Sequence, residues 1–498
     1  MLVPLALGLL LPTAWAEAPD PGPELSPQQT DTTTAGPPPE PVTPVPPPCA
    51  TAASAATEPD PAAVAALEAY AFSADWGDKE RRGLRTDAVV ILKGDTVVYE
   101  RYANGYTPDS VHLGWSMSKT ATALLAGMAV QDGRLSLDTS VCTHIDGLPE
   151  ASCAVNLGHL LDFASGFDWL ETYEGQSPTR SSVLAMLYGE GRDGMGAFVA
   201  GHPVRDAPGS VYMYSSGDTN VVATMLDDVF RPLHGADWPE TLLLDRAGMQ
   251  GATWERDGAG VPVGSSYLWA TPRDFARLGA VLRDGGCAKG APLVAPEWVS
   301  WMGDVSEPIQ RAAYDRWSDN VQGRQLWLNQ PLPAHGLQTR PWPQVPDDAV
   351  AMLGHWGQSV TAIPSLDLVI VRMADDRGTR MSKDRFLAHA IAVTGDGPIP
   401  TEAQDPPAGP VGDPTPLSGR VYAAPLLQLG SAFAAKGACS CIHVAGRDED
   451  WCRDWLRVSP DVARWRLRKD GSVTARALGM ASSTARYQGP GRGCVLVD

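Results

Sequence analysis

Apolar positions along this chain follow two different periods, and the changes of period mark out its parts. Residues 87–103, DAVVILKGDTVVYERYA, hold two β-rich runs around Gly94-Asp95, whose turn chemistry predicts an antiparallel hairpin. A second antiparallel pair is predicted within residues 350–374, VAMLGHWGQSVTAIPSLDLVIVRMA, about a Pro364-Ser365 turn. Helical spacing governs DPAAVAALEAYAF from residue 60 and SKDRFLAHAIAVT from residue 382, the latter with Ser382 as a cap. Residues 119–131, KTATALLAGMAVQ, are apolar almost all round, which predicts a central buried helix stopping at Gly133.

Strands at both ends of a helical middle imply an α+β body: an antiparallel sheet flanked by helices, with an all-helical subdomain. No repeat period runs through residues 120–345. The expected organisation is a leader (1–16), a Pro-rich spacer (17–60), the body (61–396), a second linker (397–416) and a small cysteine-bearing C-terminal module (417–498).

The first twenty residues, MLVPLALGLLLPTAWAEAPD, have an apolar stretch and an Ala14-x-Ala16 cleavage pattern but no Lys or Arg before Lys79. The terminal amine or an upstream start would supply the missing positive charge; an uncleaved anchor is the alternative, and export, to periplasm or beyond, is the expectation. Eight cysteines without a paired C-x-x-C fit an oxidising compartment. Cys142 and Cys153 can bridge one loop, and Cys439, Cys441, Cys452 and Cys494 can form two bridges of their own.

Net charge is −19, which excludes a nucleic-acid footprint. The tail from residue 417 has 12 Lys/Arg against 7 Asp/Glu, a balance of +5 that leaves −24 on the remainder. Such a module can dock on its own acidic body, the preferred reading, or contact an anionic cell envelope.

Lysine is scarce, and of the seven only Lys119 has a serine three residues before it. Ser116 and Lys119 share one face of the first turn of the buried helix. A cation there meets the positive end of the helix dipole and a desolvated core, and both lower its pKa. That suits an amine accepting a proton from a serine hydroxyl, the S-x-x-K arrangement of acyl-transfer enzymes. A lysine snorkelling from a helix end would look alike. Two stretches add weight: PGSVYMYSSGDTN (208–220), with Tyr214-Ser215-Ser216, and GHWGQ (354–358) between strand-like runs. The elbow G-x-S-x-G is not met, because Ser118 stands at its second glycine.

With these three motifs in order over residues 61–396, the chain resembles the β-lactamase-related serine hydrolases, among them class C β-lactamases, D,D-peptidases and aminohexanoate-oligomer hydrolases. LLDFASGFDWLETY (160–173) is similar to the loop those proteins carry between the first two motifs. The resemblance implies a β-lactamase/transpeptidase-like fold, with Ser116 as nucleophile, Lys119 as its proton acceptor and Tyr214 as second proton carrier, Tyr212 in reserve. It implies oxyanion donors in the N–H groups of Ser116 and Gln358, and substrate contacts from Ser216, His355 and Gly357, the glycine letting substrate pair along a strand edge. Two positions depart from the family pattern: Ser216 replaces a common asparagine and His355 a common lysine. The expected activity is therefore hydrolysis of a short amide or ester, with a penicillin-recognising D,D-peptidase or β-lactamase, or a non-catalytic binder, as alternatives. No metal or cofactor is required, and the partner is a small-molecule or short peptide-like substrate.

Overall fold

The computed structural model describes residues 49, 58–72, 83–173, 178–313, 321–377, 381–401, 419–457 and 463–497. The leader, nearly all of the Pro-rich spacer and most of the 397–416 linker lie outside them. By contacts the chain divides after residue 44, and all the described elements belong to the unit of residues 45–498.

Asp60 caps helix α1 (Pro61–Ala71) by accepting from the Ala62 N–H at 2.9 Å. The predicted hairpin is strands β1 (Thr86–Lys93) and β2 (Thr96–Tyr102), turning at Gly94 and Asp95. Helix α2 (Ser118–Gln131) begins the helical middle, which includes α3 (Ser216–His234) and α4 (Pro272–Arg283). The short strands β3 (Val321–Gln322) and β4 (Trp327–Leu328) precede β5 (Val350–Gly354), β6 (Gln358–Ile363) and β7 (Leu368–Ala374). Helix α5 (Lys383–Val393), capped by Ser382, closes the body against α1, where Tyr70 stacks on His389.

The seven strands form one antiparallel sheet in the order β2-β1-β7-β6-β5-β4-β3. Every residue of β6 and β7 is buried, so both faces of the sheet centre are covered. Gly279 lets α4 sit close on that sheet: a Cβ there would lie 2.5 Å from Val369 and 2.6 Å from Val360. Helix α2 is buried from Ser118 to Ala129, and Gly127 is pressed against the Trp298 indole, whose Nε1 donates to the Ala123 carbonyl at 3.0 Å. This is the α+β architecture expected.

The C-terminal segment, part of the same unit, has helices α6 (Leu426–His443) and α7 (Glu449–Trp455) and strands β8 (Ala463–Leu467), β9 (Val473–Ala477), β10 (Ala481–Tyr487) and β11 (Cys494–Leu496) in one antiparallel sheet. All eight cysteines are paired: Cys142–Cys153 bridges its loop, Cys439–Cys494 and Cys441–Cys452 tie the C-terminal segment, and Cys49–Cys287 joins the Pro-rich spacer to the middle of the body. Module and body meet through buried polar contacts. Tyr422 donates its hydroxyl to Ser182 Oγ at 2.7 Å, and Arg377 donates to the carbonyls of Trp455 and Arg457 at 2.8 and 2.7 Å. No helix among the described residues is long and apolar enough to cross a membrane.

Candidate active site

Ser116 sits in a single turn, Trp115–Met117, that runs straight into α2. The turn is forced: Trp115 has φ 49°, a left-handed conformation that a bulky residue adopts at a cost of about 1–3 kcal/mol. Its surroundings hold it there. Ser118 Oγ donates to the Trp115 carbonyl at 2.8 Å, and the Gly114 N–H donates to Leu268 O at 2.9 Å. Gly114 has no room for a side chain, since a Cβ would come within 2.6 Å of the Phe275 ring.

One turn on, the Lys119 side chain is 2% exposed. Its Nζ donates to Ser116 Oγ at 3.2 Å, Ser216 Oγ at 2.9 Å and Ser265 O at 3.2 Å. An ammonium has three N–H groups, so this geometry satisfies it while leaving no partner that demands a positive charge. Burial pulls its pKa down to about 8, against a smaller opposing pull from Glu171. A large neutral fraction then exists at mildly alkaline pH, and its lone pair is within reach of the Ser116 hydroxyl.

Glu171 escaped the sequence reading, although the loop that bears it was singled out. Its carboxylate accepts from the Ser216 N–H at 2.9 Å, Ser216 Oγ at 2.6 Å, Trp169 Nε1 at 2.7 Å and the Tyr173 hydroxyl at 3.1 Å. Glu171 thus stands one hydroxyl away from Lys119 and fixes the Ser216 side chain between them. Only its place in the loop between the first two motifs hinted at this.

Tyr214 is buried, its ring centroid 4.8 Å from Lys119 Nζ and packed between Phe163 (5.0 Å) and Trp327 (5.9 Å). Tyr212 turns elsewhere and donates to Gln322 Oε1 at 2.7 Å. Ser116, Lys119, Tyr214 and Ser216 are therefore brought together. Phe163, Tyr267, Gln325 and Trp356, all near this cluster, share positive φ values of 53°, 63°, 63° and 59° with Trp115. Strain gathered in one place is a mark of a site whose geometry the rest of the fold must maintain.

The third motif differs from expectation. His355, Trp356 and Gly357 form the turn between β5 and β6. The His355 ring lies 5.7 Å from Trp115 and 5.2 Å from Tyr173, and Trp356 lies 5.4 Å from Trp115, so both rings pack against the residue before Ser116. Gly357 is not on an open strand edge. It has φ 88° and faces the Arg372–Asp376 ion pair, where a Cβ would meet Asp376 Oδ2 at 2.4 Å. Gln358 opens β6, an inner strand, and is buried with its side-chain amide bonded to backbone, including the Ala374 N–H at 2.9 Å. The strand that abuts the serine turn is β5: a Cβ on Gly354 would lie 2.3 Å from the Gly114 carbonyl, and its last three residues run past the end of β4. A spacing-based reading could not see this, because the turn displaces the motif by one strand.

Among the described residues no group of three His, Cys, Asp or Glu is placed to hold a metal ion.

Residues 26–394 match the family model described as Beta-lactamase. The 6-aminohexanoate-dimer hydrolase of Paenarthrobacter ureafaciens is 27% identical over 252 residues, 48% of this chain and 64% of its own length. The chain thus spans less than two thirds of that relative. Among solved structures, a Bacillus anthracis protein described as a "putative 6-aminohexanoate-dimer hydrolase" has a TM-score of 0.50 at 21% identity, covering 62% of this chain and 79% of the other. The octameric penicillin-binding protein homologue of Pyrococcus abyssi has a TM-score of 0.47 at 14% identity, covering 82% and 91%.

Proposed function

Because the chain belongs to the beta-lactamase family of serine hydrolases, we propose that it is an exported enzyme that hydrolyses a short linear amide or ester through an acyl-enzyme on Ser116. The observation that carries this reading is the buried Lys119 amine, set between two serine hydroxyls with its pKa lowered to about 8. Four disulfides support export.

Neutral Lys119 takes the proton of Ser116 Oγ as that oxygen bonds to the substrate carbonyl carbon. The developing oxyanion is held by the Ser116 N–H and by a second backbone N–H, that of Gln358 or of the adjoining β5 end, Met352–Gly354. Collapse of the tetrahedral intermediate breaks the C–N or C–O bond, and the leaving group departs with a proton passed from Lys119 through Tyr214. Water then gives a proton back to the same pair as it attacks the ester carbonyl, releasing the acid and restoring the Ser116 hydroxyl.

Substrate class is set by the groups lining the approach. Trp115, Tyr173, His355 and Trp356 offer aromatic faces, suited to an apolar acyl chain. Ser216, where an asparagine would hold the acylamino group of a β-lactam, is already engaged by Glu171. A linear amide of the aminohexanoate type is favoured over a penicillin.

A fluorophosphonate probe should add mass to Ser116 in the intact chain and leave Lys119→Ala unlabelled. Turnover is then compared for 6-aminohexanoate dimer, p-nitrophenyl esters, D-amino-acid amides and nitrocefin. Labelling of Lys119→Ala at the parent rate would overturn the mechanism, and preference for nitrocefin the substrate class.

A further inference from the structure

The four-stranded sheet of the module has unlike faces. Trp465, Val473, Ala475, Ala485 and Leu496 are buried on the face beneath α6. Because side chains alternate along a strand, Arg464, Arg466, Arg468, Arg476 and Arg486 stand on the other face, and all five are exposed. Register places Arg464 opposite Arg476, and Arg466 opposite Thr474. No Asp or Glu occupies an outward position of β8, β9 or β10. The Asp470 carboxylate, in the turn after β8, comes within 3.8 Å of Arg486 Nη2. Like charges directly across a strand pair weaken it, so solubility and stability do not account for this array. An outward face of serines, threonines and mixed charges would serve both better.

Apolar side chains stand in water at one end of the same sheet. The turn from β9 to β10 carries Leu478, 65% exposed at φ 48°, and Met480, 73% exposed. Gln428 Nε2 donates to Ser482 O at 3.3 Å and Ser483 Oγ at 2.9 Å, which holds the start of α6 on the inner face at this end and leaves the turn to Leu478 and Met480. Helix α6 lies between the inner face of the sheet and the body, with Lys436 reaching Glu255 at 2.9 Å and Phe433 meeting Tyr188 at 5.6 Å, while the β11 edge meets the body directly, through the Cys494 N–H on Glu255 at 2.7 Å. The arginine face therefore looks away from the body.

We propose that this face docks the protein on an anionic lipid bilayer, the arginines binding phosphate headgroups while Leu478 and Met480 of the β9–β10 turn enter the acyl boundary. Charge complementarity selects an anionic surface. The apolar end selects lipid over a soluble polyanion, since those side chains gain only by leaving water. The remainder of the chain, at −24, is repelled by the same surface, which orients the body outward. This inference stands independently of the hydrolase reading.

The test is co-sedimentation of the full chain with vesicles of phosphatidylglycerol in phosphatidylcholine, against phosphatidylcholine alone. Binding is expected only to the anionic vesicles and is released by high salt. The triple variant R464Q/R466Q/R476Q should bind about 100-fold more weakly, roughly fivefold per arginine near a charged surface. The variant L478S/M480S should lose about tenfold on vesicles and nothing on soluble polyphosphate. Unchanged thermal unfolding of both variants keeps the comparison one of binding. Equal binding to neutral vesicles, or no binding at low salt, overturns the proposal. So does polyphosphate binding as tight as vesicle binding with L478S/M480S unaffected, which assigns the face to a soluble polymer. Self-association abolished by the arginine variant, without an effect on vesicles, overturns it in favour of a second copy.

Discussion

Lys119 in the body and Lys436 in the module both lie within helices of small residues, both are buried, and burial lowers both pKa values. Their nearest partners separate them. Lys436 Nζ touches Glu255 at 2.9 Å, and that carboxylate, wholly inaccessible, also accepts from Ser440 Oγ at 2.8 Å and the Cys494 N–H at 2.7 Å. The Cys439–Cys494 bridge ties strand β11 to α6 beside this pair. Lys119 meets hydroxyls and a carbonyl, with Glu171 one hydroxyl further off. A carboxylate in contact keeps an amine charged and makes it a fastener. A carboxylate held off by one serine leaves the amine free to lose a proton, and makes it a base.

The sharpest break of this comparison is to remove each amine in turn. Lys119→Met should lower kcat/KM by about 10³–10⁴-fold while leaving the thermal midpoint nearly unmoved, since a buried cation is replaced by an apolar chain of similar length. Lys436→Met should do the reverse. It strands Glu255 as an unpaired buried charge, at a cost of about 3–5 kcal/mol, and the protein that stays folded should keep its parent turnover. Steady-state kinetics beside denaturant unfolding reads both. If the two variants lose activity and stability in the same proportion, the distinction between base and fastener fails.

A finer cut goes through Glu171. The proposed base acts when neutral, so kcat/KM should climb as pH rises through about 8 and level off above it. The negative charge of Glu171 favours the ammonium form and so holds that pKa up. Glu171→Gln removes the charge, the pKa falls further, and the rising limb should move to lower pH by about half a unit to one unit. The plateau should also drop, because Ser216 loses the partner that aims its hydroxyl. A plateau that drops with an unmoved limb would reduce Glu171 to a support for Ser216 alone.

What could be read from the chain, and what could not, divides along the same line. Hairpins at 86–102 and 358–374, the buried helix from Ser118 and the pairing of Cys142 with Cys153 depend on neighbours a few residues apart, where periodicity and turn chemistry act. The approach of Ser116 to Lys119 follows from a single helical turn. Glu171 acts across 45 residues of chain on Ser216, and Lys436 across 181 on Glu255. No local pattern encodes either: AFAAKGACSC and SMSKTATALL look alike as small-residue helices, and only the fold decides which lysine meets an acid. Gly357 shows the converse error. A motif's letters were legible, but the strand they occupy is set by how β5 and β6 pair, which is a property of the whole sheet.

The smallest predicted effect concerns the joint between the two regions. Arg377 donates to the carbonyls of Trp455 and Arg457 at the end of α7, pairs with Asp375 at 2.8 Å, and lies 4.0 Å over the Trp356 ring. Trp356 in turn meets Trp115, the residue before the nucleophile, at 5.4 Å. Through this one guanidinium the module steadies an aromatic wall of the site without touching the reacting atoms. Arg377→Lys keeps the charge but loses the planar stacking and the fork that spans two carbonyls. With the cation–π contact worth about 0.5–1 kcal/mol, KM should rise about two- to fivefold, while kcat and the Lys119 limb of the pH profile stay where they are. A fall in kcat of the same size as the rise in KM would mean that the module reaches past the wall to the serine turn itself, and the two regions would then have to be counted as one site.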